Sequence, residues 1–404
     1  LEERAVALTN FSNLNSNQLT LWSKDIWNAA RQNSFVMQLA GSGPNSMIQR
    51  ITELSGGSKG TQARITLVPD MTGDGVMGDT QLWDSEEALT AYEQLIRIDQ
   101  LRNAVRVSGK MADQKVVVRF RETARDQLGY WLADRLDQIF FLTASGIGYH
   151  FATNGVARTG YSLSGTWASP SVTQSAAAGK GLDDLEFAAD VTAPSAKRWY
   201  RWVGSSTNAL VPMTTTGFSS IASTDTPSYR MLVELKAYAK DRRLRPLKMN
   251  GMETYHVFLH PKQMAKLKLD SDFLANIRNA GVRGDSNPVF SGSVMTVDGL
   301  VLHENTHVFN TLGATAGVIG DINKLGYKWG STAAQDGARM LLCGAQAMAY
   351  ADIGAPAWEE DTWDFKNQNA ISIGKIIGFK KPVWQSTRDG SSEDYGVIAV
   401  DTAV

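Results

Sequence analysis

Apolar side chains at Val117, Phe120, Ala124, Leu128, Trp131, Leu132, Leu136, Ile139 and Phe140 recur at three- and four-residue intervals, the spacing of one stripe along a helix. Polar residues between them, Arg119, Arg121, Glu122, Arg125, Asp126, Asp134 and Asp137, fall on the other faces; no proline interrupts, and Ser145-Gly146 supplies a stop. The pattern predicts a single helix over 111–146, roughly 50 Å long at ~1.5 Å per residue, far beyond the usual globular helix of about a dozen residues. A helix of that length is a strut on which other parts are laid.

Upstream, Asn15-Ser16 can cap a helix running to about Leu39, with one apolar face made by Trp22, Ile26, Trp27, Ala30 and Leu39, before Gly41-Ser42-Gly43-Pro44 ends it. Residues 1–46 read as an arm whose Trp22 and Trp27 are candidate contacts, either with the arm's own fold or with a neighbouring molecule. Over 47–110 the period changes to two. Residues 63–68 alternate and stop at Pro69, and 95–98 alternate on the far side. Between them 70–92 is acidic and glycine-rich, too polar for a core. It predicts a long loop, its tip at about 55–92, carried outward on two strands, with Asp70, Asp74, Asp79 and Asp84 as candidate assembly contacts.

After the strut segment, 111–150, about half of the residues in 151–226 are Gly, Ala, Ser or Thr, with aromatic islands at Tyr161, Trp167 and 199–202. That composition predicts a surface insertion of short strands and loops without its own core. Residues 227–340 return to helix and strand alternation: Met231, Leu232, Leu235 and Tyr238 mark a helix, 255–260 a strand, Pro261 opens a further helix, and Asp298-Gly299 joins two short strands as a two-residue hairpin. Residues 341–404 read as closing strands. The fold class expected is α+β.

Composition narrows the function. The chain has 404 residues, 43% hydrophobic and 20% charged, ordinary for folded protein, and its formal charge of −1 gives no basic excess for phosphate-rich partners. A lone cysteine, Cys343, excludes an internal disulfide framework. No apolar run is long enough to span a membrane, and the N-terminal stretch lacks the apolar core of a signal peptide, so the expectation is a protein folded in the cytoplasm.

Three motifs resemble chemical sites. His303-Glu304-Asn305-Thr306-His307 matches the zinc-hydrolase pattern HExxH, but two histidines four apart share a metal only on a helix, and this segment follows a hairpin strand, where they stand roughly 13 Å apart at ~3.3 Å per residue. The expectation is a pair of partly exposed histidines at a strand end. Gly73-Asp74-Gly75-Val76-Met77-Gly78 matches a dinucleotide fingerprint, yet surrounding aspartates would repel the phosphates it must hold. Counted from Asp70 as a calcium loop, the third position is Thr72 and the twelfth is Gln81, where the template wants a bidentate glutamate. No phosphate-cradling loop or nucleophile elbow is present. Neither catalytic residues nor a cofactor or metal site is expected.

With an arm, an acidic loop, a strut, an α+β lobe and closing strands, the chain resembles the major capsid proteins of tailed bacteriophages, in particular those of N4-like phages, which have the Hong Kong 97-type fold. The resemblance is carried by 47–54, by 111–115, 118–122 and 130–135 on the strut, by 255–261, by Asn287-Pro288-Val289-Phe290-Ser291-Gly292, and by 298–304. It implies that the acidic loop reaches over a neighbouring subunit, that 111–146 is the spine helix of a peripheral domain completed by the closing strands, and that 227–340 is an axial domain. It further implies hexamers and pentamers of the chain itself, with scaffolding, portal and possible decoration proteins as partners, packaged double-stranded DNA inside, and the virion as location. A nanocompartment shell of the same fold is the alternative, and a zinc hydrolase using 303–307 a remote one. Self-tiling also follows from head-to-tail contacts, which need protrusions that dock on a different patch of the next copy.

Overall fold

The computed structural model describes residues 34–404 apart from 53–59, 61, 68–74, 80, 82, 84–85, 87–91, 112–119, 168, 176–180, 206, 214–216, 250, 281–294 and 386–389. The long helix, α1, is continuous over Phe120–Ser145, 26 residues or about 39 Å. The start proposed at 111 is separated from it by residues outside the described set. Ala124, Leu128, Leu132, Leu136 and Phe140 form the buried stripe, and from Ile139 to Ser145 every side chain is buried, because the last two turns run into the body between two sheets. Gly146, at φ +67°, ends the helix: the Ile147 N–H returns to the Leu142 carbonyl at 3.0 Å and the Gly146 N–H to Thr143 at 3.1 Å. This is the paired bond pattern of a glycine C-terminal cap. A Cβ at Gly146 would lie 2.5 Å from the Thr192 carbonyl, so no larger residue fits.

Two positions on α1 differ from the periodic reading. Asp137, placed on a solvent face, is buried, and Trp131, placed on the buried stripe, sits half-buried at its edge. The helix turns its polar Asp137 inward because the segment at 34–36 needs hydrogen-bond acceptors there. We therefore expect Trp131→Asp to fold, losing about 1–2 kcal/mol. A urea titration showing collapse of the soluble state instead would place Trp131 deeper than it is.

The strands, in chain order, are β1 (Ile48–Ile51), β2 (Gln62–Leu67), β3 (Tyr92–Arg97), β4 (Asp99–Arg106), β5 (Trp199–Val203), β6 (Ala209–Pro212), β7 (Met252–Leu259), β8 (Met295–Val297), β9 (Leu300–Glu304), β10 (Gly337–Cys343), β11 (Met348–Trp363), β12 (Gln368–Lys380) and β13 (Val397–Ala403). One sheet has the order β1-β11-β12-β4, with 40–41 beyond β1; the other runs β8-β9-β7-β10-β13-β5-β6, with 247–249 on β7. The helices α2 (Tyr229–Asp241), α3 (Pro261–Leu269) and α4 (Ser271–Ala280) belong with the second sheet. The class is α+β, as expected. Asp298 (φ +48°) and Gly299 (φ +78°) make the two-residue turn between β8 and β9, with Val297 paired to Leu300.

Two expectations about composition fail. The segment 151–226 is not a surface insertion: β5 pairs in parallel with β13, and Phe151, Trp167, Phe187, Trp202 and Phe218 are all buried. Its small residues let the chain pass close to neighbours while each aromatic island lands in a core. Nor do the closing strands form one unit. β11 and β12 complete the sheet against α1, whereas β13 inserts between β10 and β5 along Gly337↔Ala403 to Cys343↔Val397. All seven residues of β10 and all seven of β13 are buried, so these central strands show no alternation.

Candidate assembly surfaces

The parts of this chain fitted to meet other molecules are those that leave the body. β2 and β3 form an isolated two-stranded ladder from Gln62↔Arg97 to Leu67↔Tyr92, outside both large sheets. Its inner face is anchored by Ala63, Ile65 and Ile96 against Ile51, Ala349, Ala351 and Trp384. Residues 68–91 connect the far end. In that connection Met77 and Trp83 are 75% and 74% exposed, and Asp79 is exposed. Gly75 and Gly78, at φ +74° and +66°, sit in open space, which suits a loop tip and not the close helix packing of a dinucleotide site. Asp70, Asp74 and Asp84 lie outside the described residues, as do Trp22 and Trp27 of the arm.

The arm's last residues are described, and they are fastened to α1. Asp137 Oδ1 accepts from Ser34 Oγ at 2.6 Å and from the Val36 N–H at 3.2 Å, and Oδ2 from the Phe35 N–H at 3.1 Å. Burial raises the Asp137 carboxyl above its ordinary range, opposed by these bonds. Phe35 meets the His303 and Phe258 rings edge-on, with centroids 5.3 and 5.9 Å away. Residues 34–36 are thereby tied to α1.

The HExxH segment is not helical. His303 lies on β9 and His307 beyond its end, as the hairpin context required. His303 is buried, however, not partly exposed: it stacks on His256 with centroids 4.9 Å apart, and its Nε2 is 2.6 Å from His256 Nδ1. Parallel pairing of β7 with β9 puts these rings on neighbouring strands, a juxtaposition that spacing along the chain cannot show. Burial pulls His303 down to about 4, with His256 adding to it, and burial lowers His256. His307 instead faces Asp134 on α1 at 3.1 Å, and its hydrogen bond holds that carboxyl below the usual range. The two histidines serve different contacts.

A second protrusion went unread in the sequence. β11 and β12 pair from Ala349↔Lys380 to Trp363↔Gln368, and at their turn Asp364, Phe365 and Lys366 all take positive φ. Trp363 is half exposed and Phe365 fully so. The turn is braced, since Asn367 Oδ1 accepts the Lys110 N–H at 3.3 Å and Gln368 Nε2 donates to Ser108 O at 3.2 Å. Two large apolar side chains are thus held in water on a braced turn. The exposed aromatics of 363–365 were the available signal.

Two solved structures share this architecture. The capsid of Ralstonia phage GP4 matches with a TM-score of 0.65 at 24% identity, covering 91% of this chain and 89% of that one. The Cyanophage Pam1 capsid asymmetric unit matches at 0.64 and 17%, covering 91% of each chain. The fold is that of a virus-shell subunit. The major capsid protein of Pseudomonas phage KPP25 is 48% identical over 397 residues, 98% of this chain and 97% of that protein, and the phage capsid protein family matches residues 10–404. This chain belongs to the phage capsid protein family, and its function is structural: copies of it build a phage capsid.

Proposed function

We propose that this chain is the major subunit of an icosahedral head of the Hong Kong 97 type in a tailed, N4-like phage, assembled in the host cytoplasm around double-stranded DNA without sequence-specific binding. The observation that carries this reading is the 48% identity to a major capsid protein across nearly the whole of both chains. The helix α1 with β4, β11 and β12 would form the peripheral region, the β7–β9 sheet with α2 to α4 the axial region, and the β2–β3 hairpin the extension that overlaps the next subunit. Hexamers and pentamers of the chain, with scaffolding, portal and possible decoration proteins, complete the partners; no enzymatic step belongs to the chain itself.

Electron microscopy of particles from cells making the chain tests this, with nuclease-resistant DNA in virions separating a genome container from a protein-loaded compartment. A chain that stays monomeric at high concentration, and in virion extracts too, overturns it. Deleting residues 70–84 is expected to leave a folded subunit that no longer makes stable shells. The β2–β3 ladder stays, and shortening a loop changes closure entropy by only about 1 kcal/mol. Normal particle yield from that deletion would remove the loop from the contact.

A further inference from the structure

The helix α2 ends with the same pair of hydrogen bonds as α1, and with one difference. The Leu244 N–H returns to the Ala239 carbonyl at 2.8 Å and the Arg243 N–H to Lys240 at 3.0 Å, as Ile147 and Gly146 do on α1. The left-handed position, filled there by a glycine, is filled here by Arg243 at φ +51°. A Cβ is disfavoured in that conformation, so a side chain kept there works against the helix end it belongs to. Compensation of the helix dipole accounts for Lys240 in the last turn, but not for an arginine on the strained residue beyond it.

The segment around it is cationic and held from behind. Residues 240–248 contain Lys240, Arg242, Arg243, Arg245 and Lys248 against Asp241, a local excess that the chain's net charge of −1 conceals. Their carbonyls are pinned on the body side: Arg198 Nη2 donates to Arg242 O at 2.8 Å, Tyr255 Oη to Leu244 O at 3.0 Å, the Ala345 N–H to Arg245 O at 2.9 Å, and Asn45 Nδ2 to Lys248 O at 2.8 Å. Leu244 and Leu247 are buried, while Arg243, Arg245 and Lys248 are exposed. The nearby carboxylates serve other groups first. Asp241 lies 3.9 Å from Arg242, and Glu253 lies 3.1 Å from Lys240, opposite Lys248 across the strand pair. Among the described residues no carboxylate pairs with Arg243 or Arg245, and Arg245 Nη1 is 3.4 Å from the Tyr395 hydroxyl.

Such a surface fits a row of phosphates better than a folded protein. Protein interfaces are built round an apolar centre, and no large apolar side chain is exposed over 240–248; among the described residues the nearest in sequence, Met252, is past the hairpin turn. From Arg243 to Lys248 the chain spans at most ~17 Å at ~3.3 Å per residue, which faces about five phosphates of one strand at ~3.4 Å of duplex axis each. We propose that Arg243, Arg245 and Lys248 form a phosphate contact for double-stranded DNA, blind to its sequence, and that Arg243 is kept in a left-handed conformation for that contact. This rests on the reading that the shell encloses such DNA. Each copy holds the duplex weakly, and the contact adds up over many copies while each remains reversible.

Duplex binding by the full-length chain tests it, measured by fluorescence anisotropy on two unrelated sequences of about 24 base pairs between about 50 and 200 mM NaCl. The parent should bind both equally. Arg243→Gln/Arg245→Gln/Lys248→Gln should bind at least tenfold more weakly at about 50 mM, with the slope of log affinity against log salt shallower by about 2–3, at ~0.9 per phosphate contact, and with the melting temperature unchanged. Arg243→Gly separates the contact from the fold, since it should raise the melting temperature by about 1–3 °C and still weaken duplex binding severalfold. In DNA-filled particles, formaldehyde should attach DNA to the peptide that carries Lys248. Undiminished affinity in the triple variant, a lower melting temperature for Arg243→Gly, or crosslinks on other lysines but not on Lys248 each overturn the proposal. So does a triple variant that binds duplex like the parent and no longer forms particles, a result that would assign the turn to contact with another protein. Particles lacking nuclease-resistant DNA overturn the genome-container reading on their own, without reference to the titration.

Discussion

Arg339→Met is expected to leave almost no soluble subunit. The guanidinium is 1% exposed and uses every face: Nε and Nη2 donate to the two oxygens of Asp401 at 2.7 and 3.0 Å, Nη1 donates to the Ser145 carbonyl at 2.6 Å, and the plane lies over the Trp199 ring, 4.9 Å from its centroid. Trp199 Nε1 closes the set on Asp401 Oδ2 at 2.7 Å. These groups join four elements, the end of α1, the central strands β10 and β13, and β5. The Ser145 carbonyl is one of the orphan acceptors at the negative end of a long helix, so a cation there is favoured by position as well as by charge. Removing the arginine strands a fully buried carboxylate, which costs about 3–5 kcal/mol against a total stability of about 5–15 for a domain. Arg339→Met/Asp401→Leu removes both charges and should recover most of the loss. Urea titrations of the two variants decide the matter; a single variant within 1 kcal/mol of the parent would show that the pair is dispensable.

Acidification is expected to destabilise the subunit between about pH 6.5 and 4, through its buried histidines. Burial lowers His303 from 6.5 to about 4, and burial, with Lys262 adding, lowers His260 to about 4; burial also lowers His256. Each ring is neutral in the fold and takes up a proton on unfolding, so the stability they allow is full above pH 6.5, falls as pH drops, and levels off near pH 4. His303 contributes on the order of 2 kcal/mol. Two carboxylates near the same site act differently. Asp137, raised, gains a proton in the fold first and returns part of the loss near its own range; Asp134, lowered by His307, adds a loss only below about 3.8. Calorimetric melting should hold level from pH 7.5 to about 6.5 and fall from there to 4.5 in the parent, more shallowly in His256→Asn/His303→Gln. A flat profile in the parent would mean that the stacked pair opens to solvent in the native state.

The legible parts were those in which one local rule acted alone. Helix period and the Ser145-Gly146 stop placed α1, alternation around a polar stretch placed β2 and β3, and Asp298-Gly299 placed the β8–β9 turn, since each depends on side chains within a few residues. Fully buried strands gave no alternating signal, so the sheet membership of β10 and β13 stayed hidden. The long β11–β12 arm was only half seen, since β11 mixes buried small residues with the acidic run Glu359-Glu360-Asp361.

The sequence by itself determined that this is an α+β chain built on a strut, that an acidic segment links β2 to β3, and that the HExxH segment lies in a strand setting; periodicity and turn chemistry are local and survive without knowledge of neighbours. Only the tertiary structure decided which strand joins which sheet, that Asp137 and His303 turn inward, and that Arg339 ties the helix end to Asp401. Each of these depends on a residue more than 30 positions away, and the energy of burying a polar group is set by the partner it finds there.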